Sequence, residues 1–156
     1  DALAGEGGGE GRVCVQHGAC RGEGGVDVVV QFPFGRGRER AGVGAVAVDL
    51  ASKYPCLGLI LESTFTSLVD IFEMPPTIPP IKYDSLAKIK RVRAPMLMLH
   101  GNRDEVVPFE SGYMLYKAAN QPKKFCAIDG AGHNDTYIVG GEGYFAAIQE
   151  FIAGLL

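Results

Sequence analysis

Three short apolar runs, Leu57 to Leu61, Met96 to Leu99 and Phe125 to Ile128, alternate with segments of helical length. A strand that is apolar throughout has no face to offer water, so it must be covered on both sides. Strands alternating with helices meet that need as a parallel sheet, because each crossover connection lays a helix on one face. The expected fold class is therefore α/β, a mostly parallel sheet with helices on both faces.

The intervening segments support that reading. Ala45 to Tyr54 is rich in Ala, Val and Leu and stops at Pro55, as a buried helix should, since proline disfavours helical geometry in the residue before it. A helix is expected over Thr66 to Phe72, followed by loop or extended chain through Pro75, Pro76, Pro79 and Pro80. Phe109, Tyr113 and Tyr116 fall at i, i+4 and i+7, which gives one apolar helix face ending near Asn120. Tyr144, Ile148, Phe151 and Ile152 mark a closing amphipathic helix.

The first part of the chain has a different character. Thirteen of its 22 glycines fall in the first 44 residues, and Gly5 to Gly11 contains only Gly and Glu. Such a composition cannot bury a core. Residues 1–43 are expected to be poorly ordered with one strand, Val28 to Phe32, and residues 44–156 to form the folded part. The net charge of −3 offers nothing to attract nucleic acid or an anionic membrane. No apolar run approaches the roughly 20 residues of a membrane-spanning helix, and no secretory pattern opens the chain, so a soluble, cytoplasmic protein is expected. The cysteines Cys14, Cys20, Cys56 and Cys126 lack the spacing of a disulfide framework or a zinc site, and no metal or other cofactor is indicated.

In parallel α/β sheets the chemistry gathers beyond the carboxyl ends of the strands. After Met96 to Leu99 comes His100-Gly101-Asn102-Arg103-Asp104, with Pro108 suited to the first turn of the next helix. After Phe125 to Ile128 comes Asp129-Gly130-Ala131-Gly132-His133, whose glycines allow a tight turn. Neighbouring parallel strands lie about 4.8 Å apart, so Asp104 and His133 can reach each other. In a catalytic triad such an aspartate fixes the imidazole tautomer and the imidazole takes the nucleophile's proton. The bland alternative makes Asp104 a helix cap and His133 an ordinary loop residue.

His100-Gly101 through Asp104 to Val107-Pro108, followed by Gly132-His133-Asn134-Asp135-Thr136, resembles the α/β-hydrolase superfamily. Leu61-Glu62-Ser63-Thr64-Phe65, Tyr83-Asp84-Ser85-Leu86 and Gly143-Tyr144-Phe145 are similar to its serine aminopeptidase-like subgroup, which includes hydrolase-domain proteins related to palmitoyl-protein thioesterases. The resemblance runs from Gly44 to the C-terminus and implies ester, thioester or peptide hydrolysis, with small-molecule or acylated-protein substrates. Asp104 and His133 match the family's acid and base.

The family's nucleophile is a serine in G-x-S-x-G, on the sharp turn before the helix that matches Ala45 to Tyr54. Here the chain reads Glu39-Arg40-Ala41-Gly42-Val43-Gly44, which puts Ala41 at that position, or Gly37 if Phe34-Gly35-Arg36 starts the turn. The first serine of the chain is Ser52, inside the expected helix, while Ser63 and Ser67 read as turn or cap residues. The strands that would precede this turn, and the oxyanion loop they carry, are not evident. An incompetent hydrolase is the expectation.

Two other functions compete. Gly42-Val43-Gly44-Ala45-Val46-Ala47 fits G-x-G-x-x-[GA], and Glu62 ends a strand about 20 residues later, as a dinucleotide-binding fingerprint requires; but Pro33 and the charged stretch Gly35 to Arg40 separate the strand from those glycines. Alternatively the scaffold is a noncatalytic binding protein, with Met74 to Ile81 as a cap or Lys88, Lys90, Arg91 and Arg93 as a partner surface. A solvated face is the plainer account of those basic residues. A change of reading frame upstream of Gly44 would explain the break in composition, the missing strands and the missing serine together. Sequencing the transcript across the codons for residues 1 to 50 is expected to show a frame shift, and an intact frame overturns it.

Overall fold

The computed structural model describes residues 13–14, 28–30, 39–67 and 84–155. Five parallel strands form one sheet in the order β1-β2-β3-β4-β5: β1 Val13–Cys14, β2 Val28–Val30, β3 Gly58–Glu62, β4 Met96–Gly101 and β5 Lys123–Ile128. Among the described residues four helices accompany them, α1 Glu39–Lys53, α2 Ser85–Ile89, α3 Phe109–Ala118 and α4 Thr136–Ala153. The α/β class with a parallel sheet is what the alternation required.

The period of two along a strand sorts the apolar side chains onto two faces. Leu59, Leu61, Met96 and Met98 pack with Val48 and Ala51 of α1, Ile89 of α2 and Leu115 of α3. Ile60, Leu97 and Leu99 point the other way, against Tyr144, Ala147 and Ile148 of α4. Both faces of β3 and β4 are thus covered, which is why all their residues are buried. In-register pairing of Glu62 with Leu99 and of Gly101 with Ile128 brings the carboxyl ends of β3, β4 and β5 to one edge.

Local signals fix several boundaries. Asp84 starts α2 by accepting from Ala87 N through Oδ1 at 2.9 Å, the usual service of a helix-capping aspartate. Lys123 Nζ donates to the carbonyls of Tyr116 and Ala119 at 2.7 and 2.8 Å, placing a cation on the negative end of α3. Lys88 Nζ lies 2.6 Å from Asp49 Oδ1 and ties α2 to α1, so one member of the basic group is paired within the fold.

Several expectations are adjusted. Helix α1 begins at Glu39 rather than Ala45, continuing through Gly42 and Gly44. Of the strand expected over Val28 to Phe32, Val28–Val30 is described as β2 and the remainder lies outside the described residues, and the glycine-rich region also supplies β1. On α3 the inward residues are Gly112 and Leu115, while Phe109, Tyr113 and Tyr116 gather around Phe125 of β5 at centroid distances of 5.6, 5.7 and 5.3 Å. Helix α4 starts at Thr136 and bends at Gly141, whose φ of 49° leaves the helical region, a conformation open to glycine at little cost. Thr66 lies outside any helix; the remainder of the helix expected to Phe72 and the cap expected over Met74 to Ile81 lie outside the described residues. Among the described residues no helix is long and apolar enough to cross a membrane.

Leu99, 1% exposed on β4, anchors the face under α4. Leu99→Ala is expected to lower stability by about 2–5 kcal/mol, measured as a shift of the urea unfolding midpoint with an unchanged slope.

Candidate active site

The site grows from the two loops that follow β4 and β5. Beyond β4 the chain turns sharply, with Asp104 N donating to Gly101 O at 3.3 Å and Arg103 N to Ala131 O at 2.9 Å. Gly101 is required there, since a Cβ would run into the carbonyl oxygen of Ala131. Asn102 fastens the two loops together: its Nδ2 donates to Asp129 Oδ1 at 2.7 Å and its Oδ1 accepts from Gly130 N at 2.8 Å. Gly130, at φ 79°, makes the reversal that follows β5.

Asp104 is divided between two tasks. Its Oδ1 accepts from Val106 N and Val107 N at 2.9 and 2.7 Å, holding the turn before α3. Its Oδ2 lies 2.8 Å from His133 Nδ1 and 3.4 Å from His100 Nε2. Burial alone would raise the carboxyl's pKa, but the hydrogen bonds from His100, His133 and Val107 N outweigh it and hold Asp104 far below the usual carboxylate range. An ionised Asp104 only accepts, so the proton between the two residues sits on His133 Nδ1. That leaves His133 Nε2 as the free nitrogen; it is buried and has no hydrogen-bond partner.

His100 supports this pair. It is 1% exposed, and its Nε2 lies 3.0 Å from Val107 O. Gly112 of α3 lies against its ring, where a Cβ would collide with His100 Nδ1. On the other side of the site, Glu62 at the end of β3 is 1% exposed, and its carboxylate accepts hydrogen bonds from Thr136 Oγ1 and from Tyr144 OH. Burial first, then the adjacent Glu62 charge, pushes the Tyr144 phenol well above its ordinary range. Because Thr136 opens α4 just after His133, this bond straps the histidine loop to β3.

The residues expected at the nucleophile are not assembled in the same way. Ala41 is part of α1 rather than of the turn before it, and Gly37 lies outside the described residues. Ser52 bonds through Oγ to Asp49 O at 2.7 Å in the last turn of α1. Ser63 is buried at φ 45° and its Oγ has no partner, so its hydroxyl caps nothing. Burial pushes the Cys56 and Cys126 thiols up, away from the nucleophilic form. The dinucleotide fingerprint also loses its context: Gly42 and Gly44 lie inside α1 instead of in a strand-to-helix turn, and Glu62 is engaged by two hydroxyls. Among the described residues no group of three or more His, Cys, Asp and Glu could hold a metal ion.

Asn102, Glu62, Thr136 and Tyr144 lie in segments singled out in the sequence, but the contacts they make are not foreseen from it. Their partners are 27, 74 and 82 positions away.

Comparison with known proteins gives a consistent picture. No family model matches the chain. It is 32% identical over 110 residues to human alpha/beta hydrolase domain-containing protein 17B, an alignment covering 69% of this chain and 37% of that protein. It is 35% identical over 114 residues to an uncharacterised protein of Mycobacterium tuberculosis, covering 69% and 41%. The chain thus spans about two fifths of the length of these relatives. Among solved structures, an esterase of Pyrococcus furiosus superposes with a TM-score of 0.62 at 19% identity, over 82% of this chain and 53% of that one.

The low Asp104 pKa has a sign that can be measured. A carboxyl depressed on folding adds stability in full above its unfolded value of about 3.9 and loses it as the pH falls toward the folded value. Asp104→Asn is expected to cost about 3–5 kcal/mol at neutral pH and to flatten the acid limb of the stability curve, as read by urea unfolding between pH 3 and pH 7.

Proposed function

The C-terminal part of this chain belongs to the α/β-hydrolase superfamily, and we propose that it retains the acid and base of a serine-hydrolase site without the nucleophile, so that it does not turn over substrate by itself. In this reading Asp104 is the orienting acid and His133 the base, at a site whose ancestral substrates were esters, thioesters or peptides. The observation that carries it is His133 Nε2. A competent triad commits that nitrogen to the serine hydroxyl, whereas here it is buried without a partner, and no serine precedes Ser52.

The energetic consequence is large. Removing the serine from a working triad lowers kcat by about a millionfold, and what remains depends on an oxyanion hole that the sequence does not reveal. The Asp104 to His133 bond at 2.8 Å supports a preserved geometry, which favours a second reading, a noncatalytic binding protein on the hydrolase scaffold. Small molecules are the class of ligand that suits such a site.

A fluorophosphonate probe, which labels only an activated serine, is expected to leave the purified chain unmodified by intact-protein mass spectrometry. Covalent labelling that disappears in His133→Ala overturns the proposal. Installing Ala41→Ser tests the elbow: no labelling is expected, because Ala41 lies within the helix rather than in the exposed turn.

A further inference from the structure

At the amino edge of the sheet, opposite Asp104 and His133, the turn before β3 and the loop before β4 line a cleft of about 400 Å³. That is within the range of small-molecule sites, which starts at about 300 Å³. The two segments are tied together, because Leu59 N at the start of β3 donates to Pro95 O at 2.9 Å. Ala51 and Ala94 of the lining belong to the buried core, whereas Tyr54 and Pro55 are exposed and offer apolar surface to whatever enters.

The loop before β4 carries the charge of this cleft, and it is pinned. Asn120 Nδ2 donates to Lys90 O and to Val92 O, each at 2.8 Å, which holds the backbone on either side of Arg91. Val92 and Ala94 are buried while Arg91 and Arg93 are exposed, so both guanidinium groups leave the loop on its solvent side, and both line the cleft. Lys53 is the third cation of the lining, and no carboxylate accompanies the three, although the chain as a whole carries a net charge of −3. Lys53 is neutralised by Asp49 at 2.6 Å, and the same carboxylate takes Lys88. Among the described residues the Arg91 and Arg93 side chains have no hydrogen bond or ion pair. Lys90 lies outside the lining. The basic group thus divides into a paired lysine, a solvated lysine and two unpaired arginines on one cleft.

We propose that this cleft binds a phosphomonoester with an apolar body, the phosphate held by Arg91 and Arg93 and the body lying against Tyr54, Pro55 and Pro95. The planar guanidinium fork matches a pair of phosphate oxygens, so each arginine can take two of them. A phosphomonoester carries close to two negative charges at neutral pH, which equals the charge of the two unpaired arginines. A monocarboxylate brings only one. The site lies at the end of the sheet away from Asp104 and His133, so it stands whether or not that edge turns over substrate.

The test titrates the full 15N-labelled chain with phenyl phosphate, and in parallel with benzoate and with inorganic phosphate, at a pH above the second phosphate pKa of about 6. Two-dimensional 1H–15N spectra report the arginine Nε–H groups and the backbone amides. Phenyl phosphate is expected to give saturable shifts at Nε–H of Arg91 and Arg93 and at the amides of Tyr54 and Cys56, and to bind more tightly than either comparator. Arg91→Gln and Arg93→Gln, both at exposed positions, are each expected to weaken binding about 3- to 5-fold, the worth of one solvent-screened charge contact, and added salt is expected to weaken it further. Lys90→Gln is expected to leave the affinity unchanged. Benzoate or inorganic phosphate binding as tightly as phenyl phosphate, unchanged affinity in both arginine variants, an equal loss in Lys90→Gln, or no saturable shift overturns the proposal.

Discussion

Strand β4 has no solvent-facing side, and the remainder of the described structure is arranged around that fact. Met96 and Met98 need cover from α1, α2 and α3, while Leu97 and Leu99 need it from α4. Burying one such leucine from water is worth about 1.5–3 kcal/mol, so the two helical layers are held by the same strand. Its flanking partners β3 and β5 are then fixed in register. The carboxyl end of β4 becomes the point from which His100 and Asp104 are delivered.

From that point outward, polar contacts take over from apolar packing. Asn102 joins the loops after β4 and β5, Asp104 divides its oxygens between the α3 turn and His133, and Glu62 gathers two hydroxyls from α4. Apart from Asp104's local bonds to the α3 turn, each is a buried or loop-closing bond across a long stretch of sequence. In a low-dielectric setting such networks are favourable only when every member is satisfied. At this edge His133 Nε2 and Ser63 Oγ are the buried polar atoms left without a partner.

Asp104 and His133 were legible because each follows an apolar strand of a parallel sheet, and adjacent strand ends are close by geometry. Ser63 was less legible. Its position after β3 suggested a turn or cap, and only the three-dimensional arrangement shows a hydroxyl with neither role. The glycine pair Gly42 and Gly44 resembled a phosphate-binding turn, a reading already weakened by the chain between strand and glycines, and the chain there is helical. The apolar spacing from Tyr144 onward marked only the later part of α4, which starts at Thr136 and bends at Gly141.

The sequence by itself determined the α/β class, the buried strands and the placement of Asp104 and His133 after adjacent strands, since these depend on short-range periodicity and on residues next to strand ends. Tertiary structure decided which side chains meet across 27 to 82 positions: Asn102 with the β5 loop, and Glu62 with Thr136 and Tyr144. It also decided which of Asp104's oxygens serves His133 and which imidazole nitrogen is left free. No local pattern encodes those choices, because they follow from how sheet register and helix packing bring distant loops to one edge.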